Sequence, residues 1–196
     1  MRIEPISLEG RHVRLEPLEH GHLPGLVAVG LTGDIFRWMP RVVRTADDMQ
    51  ALVELALRER AAATALPFAT IEHASGRVVG STQFMAIDTT HRRVEIGGTW
   101  IATAWQRTAI NTEAKLLMLR HAFEVWGCNR VEFKTDALNA RSRAAILRLG
   151  ATEEGTFRNH MIADGGRLRD SVYFSITHQE WPQIRTALHA RLDLAV

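Results

Sequence analysis

The chain has 196 residues, 46% hydrophobic and 23% charged, a composition that suits one globular domain and excludes a largely disordered chain. Its 24 basic residues, nearly all arginine, almost balance 22 acidic ones, leaving a net charge of +2 with no dense basic run, so nucleic acid is not expected as a partner. No apolar run is long enough to span a membrane, and the first residues have no hydrophobic secretory core. The single cysteine, Cys128, excludes an internal disulfide, and a cytoplasmic location is expected.

His12–Leu18 (HVRLEPL) alternates apolar and polar residues and predicts a strand. A glycine-weakened helix follows over Leu23–Leu31, then an aromatic-rich loop, Ile35–Pro40. Thr45 is a good N-cap, with Asp47 and Asp48 in the first turn of a helix reaching about Ala62. Three strands come next, over Leu66–Glu72, Arg77–Ile87 and Arg93–Ala102. Their connections are too short for crossovers, so they predict an antiparallel meander.

A helix over Asn111–Trp126 presents Leu116, Leu119, Ala122, Phe123 and Trp126 on one face. Arg130–Ala137 is a strand, Asn139–Leu149 a short helix ending at Gly150, and Ala151–Ile162 and Leu168–Thr177 two further strands around Asp164-Gly165-Gly166. A last helix covers Gln179–Leu192. Only Arg93–Ala137 is long enough for a parallel strand–helix–strand crossover.

That crossover is where chemistry is expected. The loop Trp105–Asn111 (WQRTAIN) precedes a helix N-terminus, whose free N–H groups and partial positive charge suit phosphate. Metal chemistry is not expected: His20 and His22 have no ligand-like spacing, and Cys128 lacks a histidine constellation. Trp38, Trp100 and Trp105 serve either a cleft wall or the core.

The segments HVRLEPL, VVGSTQF, VEIGGTWI, AWQRTAINTEAKLLMLRHAFE and VEFKTDALNARSRAAILRLGA occur in an order that resembles the GNAT superfamily of N-acetyltransferases, most closely its RimJ/RimL-like branch. The resemblance covers about residues 8–181, read as one acetyltransferase domain, with 182–196 a C-terminal helical extension. It implies an α/β fold with a mixed, mostly antiparallel central sheet, helices on both faces, and two splayed parallel strands forming an acetyl-CoA cleft.

It further implies that the pyrophosphate of acetyl-CoA rests on Gln106, Arg107, Thr108, Ala109, Ile110, Asn111 and Thr112, and that the pantetheine arm pairs with Trp100, Ile101 and Ala102. Ala109 and Asn111 stand where the family pattern has glycine, and glycine or alanine; Asn111 adds a donor or an N-cap. Asn139 is expected to hydrogen-bond the arm, to cap the following helix, or both, and Ser142 to face the cofactor. Glu95 is the first candidate for the general base, against a surface carboxylate paired with Arg93 or another arginine. Glu113 reads as structural, and His160 and Asp170 lie on the acceptor side. The tyrosine that relatives use as an acid falls on Ile146; the chain's one tyrosine is Tyr173.

The expected reaction is direct acetyl transfer from acetyl-CoA to a primary amine. The resemblance favours a protein N-terminal α-amine of the ribosomal-protein type. The alternatives are a small amine (amino acid, polyamine or drug) and a silent acyl-CoA-binding module. No metal, nucleic acid or membrane partner is expected, and a homodimer is.

Overall fold

The structure, a computed structural model, describes residues 1–193. The strands β1 (Leu8–Glu9), β2 (Val13–Pro17), β3 (Leu66–Glu72), β4 (Val78–Asp88), β5 (Arg93–Ile101), β6 (Arg130–Asp136), β7 (Thr152–Ile162) and β8 (Leu168–Thr177) form one sheet. Their spatial order is β1-β2-β3-β4-β5-β6-β8-β7, antiparallel throughout except for β5 beside β6. The meander and the single parallel crossover are as the connection lengths predicted.

Helices cover both faces. The helices α1 (Leu23–Gly30) and α2 (Ala46–Ala61) bury Leu26, Val29, Met49 and Val53 against Ala69, Ile71 and Trp100. On the other face α3 (Ala109–Arg120), α4 (Ala140–Leu147) and α5 (Trp181–Asp193) pack Leu116, Leu119, Ile146 and Leu188 against Val94, Phe133 and Phe174. Residues 182–193 therefore share the main core; 194–196 of the expected extension lie outside the described residues.

Two boundaries differ from the sequence expectation. The third helix starts at Ala109, not Asn111, because Thr108 is its N-cap: the Thr108 hydroxyl accepts from the Ile110 N–H at 3.3 Å. Asn111 is thus a first-turn residue, not the cap. Beyond Arg120 the helix widens into one π turn, His121–Val125, before Gly127 at φ +61° ends it. The turn expected at Asp164-Gly165-Gly166 is present, with Gly165 at φ +76° and Gly166 at φ +80°.

The α1/α2 layer stops short. Its apolar cluster takes residues from β3 and β5 but, among the described residues, none from β6, β7 or β8. By strand alternation Val131, Phe133 and Thr135 face α3 and α5, while Glu132, Lys134 and Asp136 face the other way. Polar residues therefore line this part of the sheet, next to the parallel pair.

Candidate active site

The pair β5/β6 is hydrogen-bonded over three residues only: Arg93, Val94 and Glu95 lie opposite Arg130, Val131 and Glu132. Past that point β5 stays with β4 as far as Ile101, and β6 stays with β8 as far as Asp136. The two strands diverge into an open wedge with Glu95 at its vertex. Among the described residues, the backbone edges that face each other across the wedge have no strand partner.

A bulge in β5 opens the wedge. Ser81 lies opposite Trp100 and Gln83 opposite Gly97, so β5 carries one extra residue, and Gly98 takes φ +58°. The extra residue flips the side-chain parity. Val94 and Ile96 point to the α3 core, yet Trp100 lands in the α1/α2 cluster against Phe36, with ring centroids 5.2 Å apart. Lys115 of α3 holds the bulge from below. Its Nζ donates to Thr99 Oγ1 at 2.6 Å and Thr82 Oγ1 at 3.1 Å, and Thr99 Oγ1 donates to the Gly97 carbonyl at 3.3 Å.

At the wide end of the wedge stands the N-terminus of α3. Its first-turn N–H groups have no carbonyl four residues back, and they carry the positive end of the helix dipole. The preceding loop is braced on both sides. Gln106 Nε2 donates to the Ile101 carbonyl at 2.8 Å, and Arg141 of α4 donates to Gln106 Oε1 at 3.2 Å. Thr108 Oγ1 donates to the Trp105 carbonyl at 2.7 Å.

The loop places its left-handed residue at Arg107, φ +64°, so Ala109 sits in the helix with no need for glycine. Arg107 and Thr108 are exposed, while Asn111 Oδ1 is buried with no hydrogen-bond partner, an acceptor free for a ligand donor. Asn139 caps α4, with Oδ1 accepting from the Ser142 N–H at 3.0 Å, which leaves its amide nitrogen as a donor. An anionic, extended, amide-bearing ligand fits this donor set: phosphate on the α3 terminus, an arm along the open edge of β5.

The vertex is charged. Glu95 is 4% exposed, and Lys134 Nζ lies 3.3 Å from its Oε2, so the pair crosses from one arm of the wedge to the other. The alternative, an exposed carboxylate paired with Arg93 or another arginine, does not hold: Glu95 is buried and pairs with Lys134, while Arg93 pairs with Asp88 and Glu132. Burial raises the Glu95 pKa above the ordinary glutamate range, with Glu132 adding to the rise and Lys134 and Arg169 opposing it. A buried carboxylate with a raised pKa suits a proton acceptor near neutral pH.

Lys134 also lies 5.6 Å over the Tyr173 ring, which packs against Phe157 and His160. His160 Nδ1 meets Ser171 Oγ at 3.1 Å, and Asp170 Oδ1 accepts the Asn159 N–H at 2.7 Å. Further along β6, Asp136 is buried and paired with Arg167 and Arg169. Arg169 also reaches the Trp38 carbonyl, and Arg167 lies over the Trp38 ring, so the Ile35–Pro40 loop is tied to the sheet beside the wedge.

Sequence reasoning missed Lys134 and Asp136. Their signal is the alternation in RVEFKTD, and the fact that Lys134 is one of only two lysines in the chain. Ile146, at the family's tyrosine position, is buried in the core and offers no proton. Glu113 is structural: its carboxylate accepts the N–H groups of Arg11, His12 and Val13 at 2.6–2.8 Å. Burial pushes the Cys128 thiol up to about 11, which keeps it protonated and unreactive. Among the described residues no three histidine, cysteine, aspartate or glutamate side chains converge as a metal site, and no helix is long and apolar enough to cross a membrane.

The mixed sheet thus has one parallel pair, which splays beside a helix N-terminus. The chain belongs to the acetyltransferase (GNAT) domain family, whose model matches residues 12–152. It is 34% identical over 106 residues to a Bacillus subtilis protein named "Putative ribosomal N-acetyltransferase YdaF", a match covering 54% of this chain and 57% of the relative. The match thus spans little more than half the length of that curated relative. A GCN5-related N-acetyltransferase from Brucella melitensis superposes with a TM-score of 0.90 at 34% identity, over 96% of this chain and 86% of the other. Mycobacterium smegmatis RimJ, solved in complex with CoA-disulfide, shares the fold at 22% identity, with a TM-score of 0.80 over 95% of each chain.

Proposed function

We propose that the protein transfers an acetyl group from acetyl-CoA to a primary amine, and that the amine is the α-amino group at the N-terminus of a protein. The observation that carries the reading is the wedge: β5 and β6 pair for three residues and then open beside the capped N-terminus of α3. Gln106–Thr112 would hold the pyrophosphate; Trp100, Ile101 and Ala102 the pantetheine arm, with Asn139 and Ser142 on its other side. From Glu95 to Ile101 is six residues of strand, a path of ~20 Å along which an extended arm can run from loop to vertex.

Glu95 takes the proton that the attacking amine gives up. The polar half-sheet around Lys134, Tyr173 and Asp136 receives the acceptor. A peptide acceptor is supported by β7, an edge strand of 11 residues, most of them exposed, to which an extended chain can add. The ribosomal N-acetyltransferase name of the Bacillus subtilis relative points the same way. Association of two copies belongs to the same reading, checked by sedimentation at micromolar concentration.

The test is thermal unfolding with acetyl-CoA, followed by CoA release with a panel of acceptors. Saturation at a hundred times Kd stabilises by ~2.7 kcal/mol, a Tm rise of roughly 5–10 °C. Peptides with a free α-amine should turn over, and the same peptides blocked at the N-terminus should not. Turnover confined to small amines would overturn the peptide assignment. No thermal shift at millimolar acetyl-CoA would overturn acetyl transfer.

A further inference from the structure

The proposed reaction needs two proton carriers: one for the proton lost by the amine and one for the sulfur that leaves. Glu95 serves the first. The second has no tyrosine to draw on at position 146, where Ile146 faces the core.

Among the titratable groups near the wedge, most are in the wrong place. Lys115 lies on the α3 face of the sheet, engaged with two threonine hydroxyls. Cys128 is buried at the far end of the crossover helix. His160 is on β7, three strands away from β5 in the sheet order. Tyr173 is on β8, with its ring against Lys134 and its neighbours Phe157 and His160. Lys134 alone contacts the base itself, across the wedge.

We propose that Lys134 is the general acid of this site: its ammonium meets the CoA sulfur as the carbon–sulfur bond breaks and gives it a proton. The inference rests on the acetyl-transfer reading above.

Three observations support it. Lys134 is on β6 two residues past the last paired position, so its stem starts on one arm of the wedge and its Nζ ends 3.3 Å from Glu95 on the other. Its side chain is 17% exposed, sheltered from bulk water yet open to the wedge. Third, the chain carries only two lysines against its many arginines, and one of them stands here. An arginine pairs with a carboxylate at least as well but cannot be deprotonated; a lysine can give its proton and take it back.

The protons balance within the pair. The amine lone pair forms the new carbon–nitrogen bond, and Glu95 accepts the proton that nitrogen loses. When the carbonyl re-forms, the carbon–sulfur electron pair leaves on sulfur, and Lys134 Nζ transfers one proton to it. Glu95, now a carboxylic acid, returns its proton to the neutral Lys134 amine across their contact. The products are an amide and a CoA thiol, and the ion pair is restored with no other reactant. Free thiols and lysines differ by about two pKa units, a gap a proton can cross within a catalytic cycle. The groups facing the pair are Glu132 on β6, Arg169 and Tyr173 on β8, and His160 on β7.

The experiment is ultraviolet titration of the CoA thiol bound to the wild type, K134M and K134R, with CoA itself as the probe, alongside kcat for each. The ammonium should lower the bound thiol's titration midpoint relative to K134M by about one pH unit, a tenfold effect. K134R should keep that shift, because it keeps the charge, yet lose most of kcat, because it cannot donate the proton. An identical thiol midpoint in wild type and K134M, both binding CoA, overturns the proposal. Full kcat in K134R overturns the proton transfer. Should no variant and no wild type bind CoA, the acetyl-transfer reading falls and this inference falls with it.

Discussion

Glu95 and Lys134 are partners across a gap that separates their strands: Oε2 and Nζ are 3.3 Å apart at the point where β5 and β6 cease to pair. The pair marks the vertex of the wedge.

Burial is the largest influence on Glu95 and raises its pKa. In its proposed role as base it works only when ionised, so activity should fall as pH drops through a midpoint above the ordinary glutamate value of 4.5. Glu95→Gln should lower kcat by about 10²–10⁴-fold and remove that acid limb from the kcat–pH profile. An E95Q profile that keeps the wild-type limb would assign the base elsewhere.

Lys115 is buried with no carboxylate beside it among the described residues; burial brings its pKa from 10.5 to about 7. Between those values the unfolded chain binds the extra proton, so stability rises with pH across this window and is lowest at and below about 7. Lys115→Met fills a similar volume and keeps the Thr82–Thr99 hydroxyl contact of 2.7 Å. Calorimetry should show K115M melting above wild type near pH 7, by a margin that shrinks toward pH 10.

Glu113 ties the β1–β2 turn to α3 through three backbone N–H groups. A Cβ on Gly10 would stand 2.5 Å from this carboxylate, so the turn closes directly on it. Glu113→Ala leaves three buried or half-buried donors unmatched and should cost about 3 kcal/mol, a Tm fall of roughly 6–12 °C. The acid limb assigned to Glu95 should stay where it is.

Arg107 holds φ +64°, a conformation that disfavours branched side chains most. Arg107→Gly should match or exceed wild-type Tm, whereas Arg107→Val should lose about 1–2 kcal/mol. Acetyl-CoA titration of R107G, against this unchanged or higher stability, isolates what the exposed guanidinium adds to phosphate binding.

Much of the fold was legible in the sequence because it rests on local signals. Thr45 with Asp47 and Asp48 announces α2, and the threonine does accept from the Asp48 N–H. Alternation in HVRLEPL and RVEFKTD marks strands, and short connections make the meander antiparallel. The start of α3 was misplaced by two residues because Thr108 and Asn111 are both good caps, and only backbone geometry selects between them.

The sequence by itself determined the order and type of the elements and the one crossover long enough for a parallel pair. Each follows from spacing within a few residues or from connection length. Tertiary structure alone decided how long β5 and β6 stay paired, that one extra residue at Gly98 turns Trp100 to the opposite face, and that Glu95 meets Lys134 rather than Arg93. Those outcomes depend on register between strands that are not adjacent residue by residue in the chain, and on how much water each charge keeps after the helices have packed.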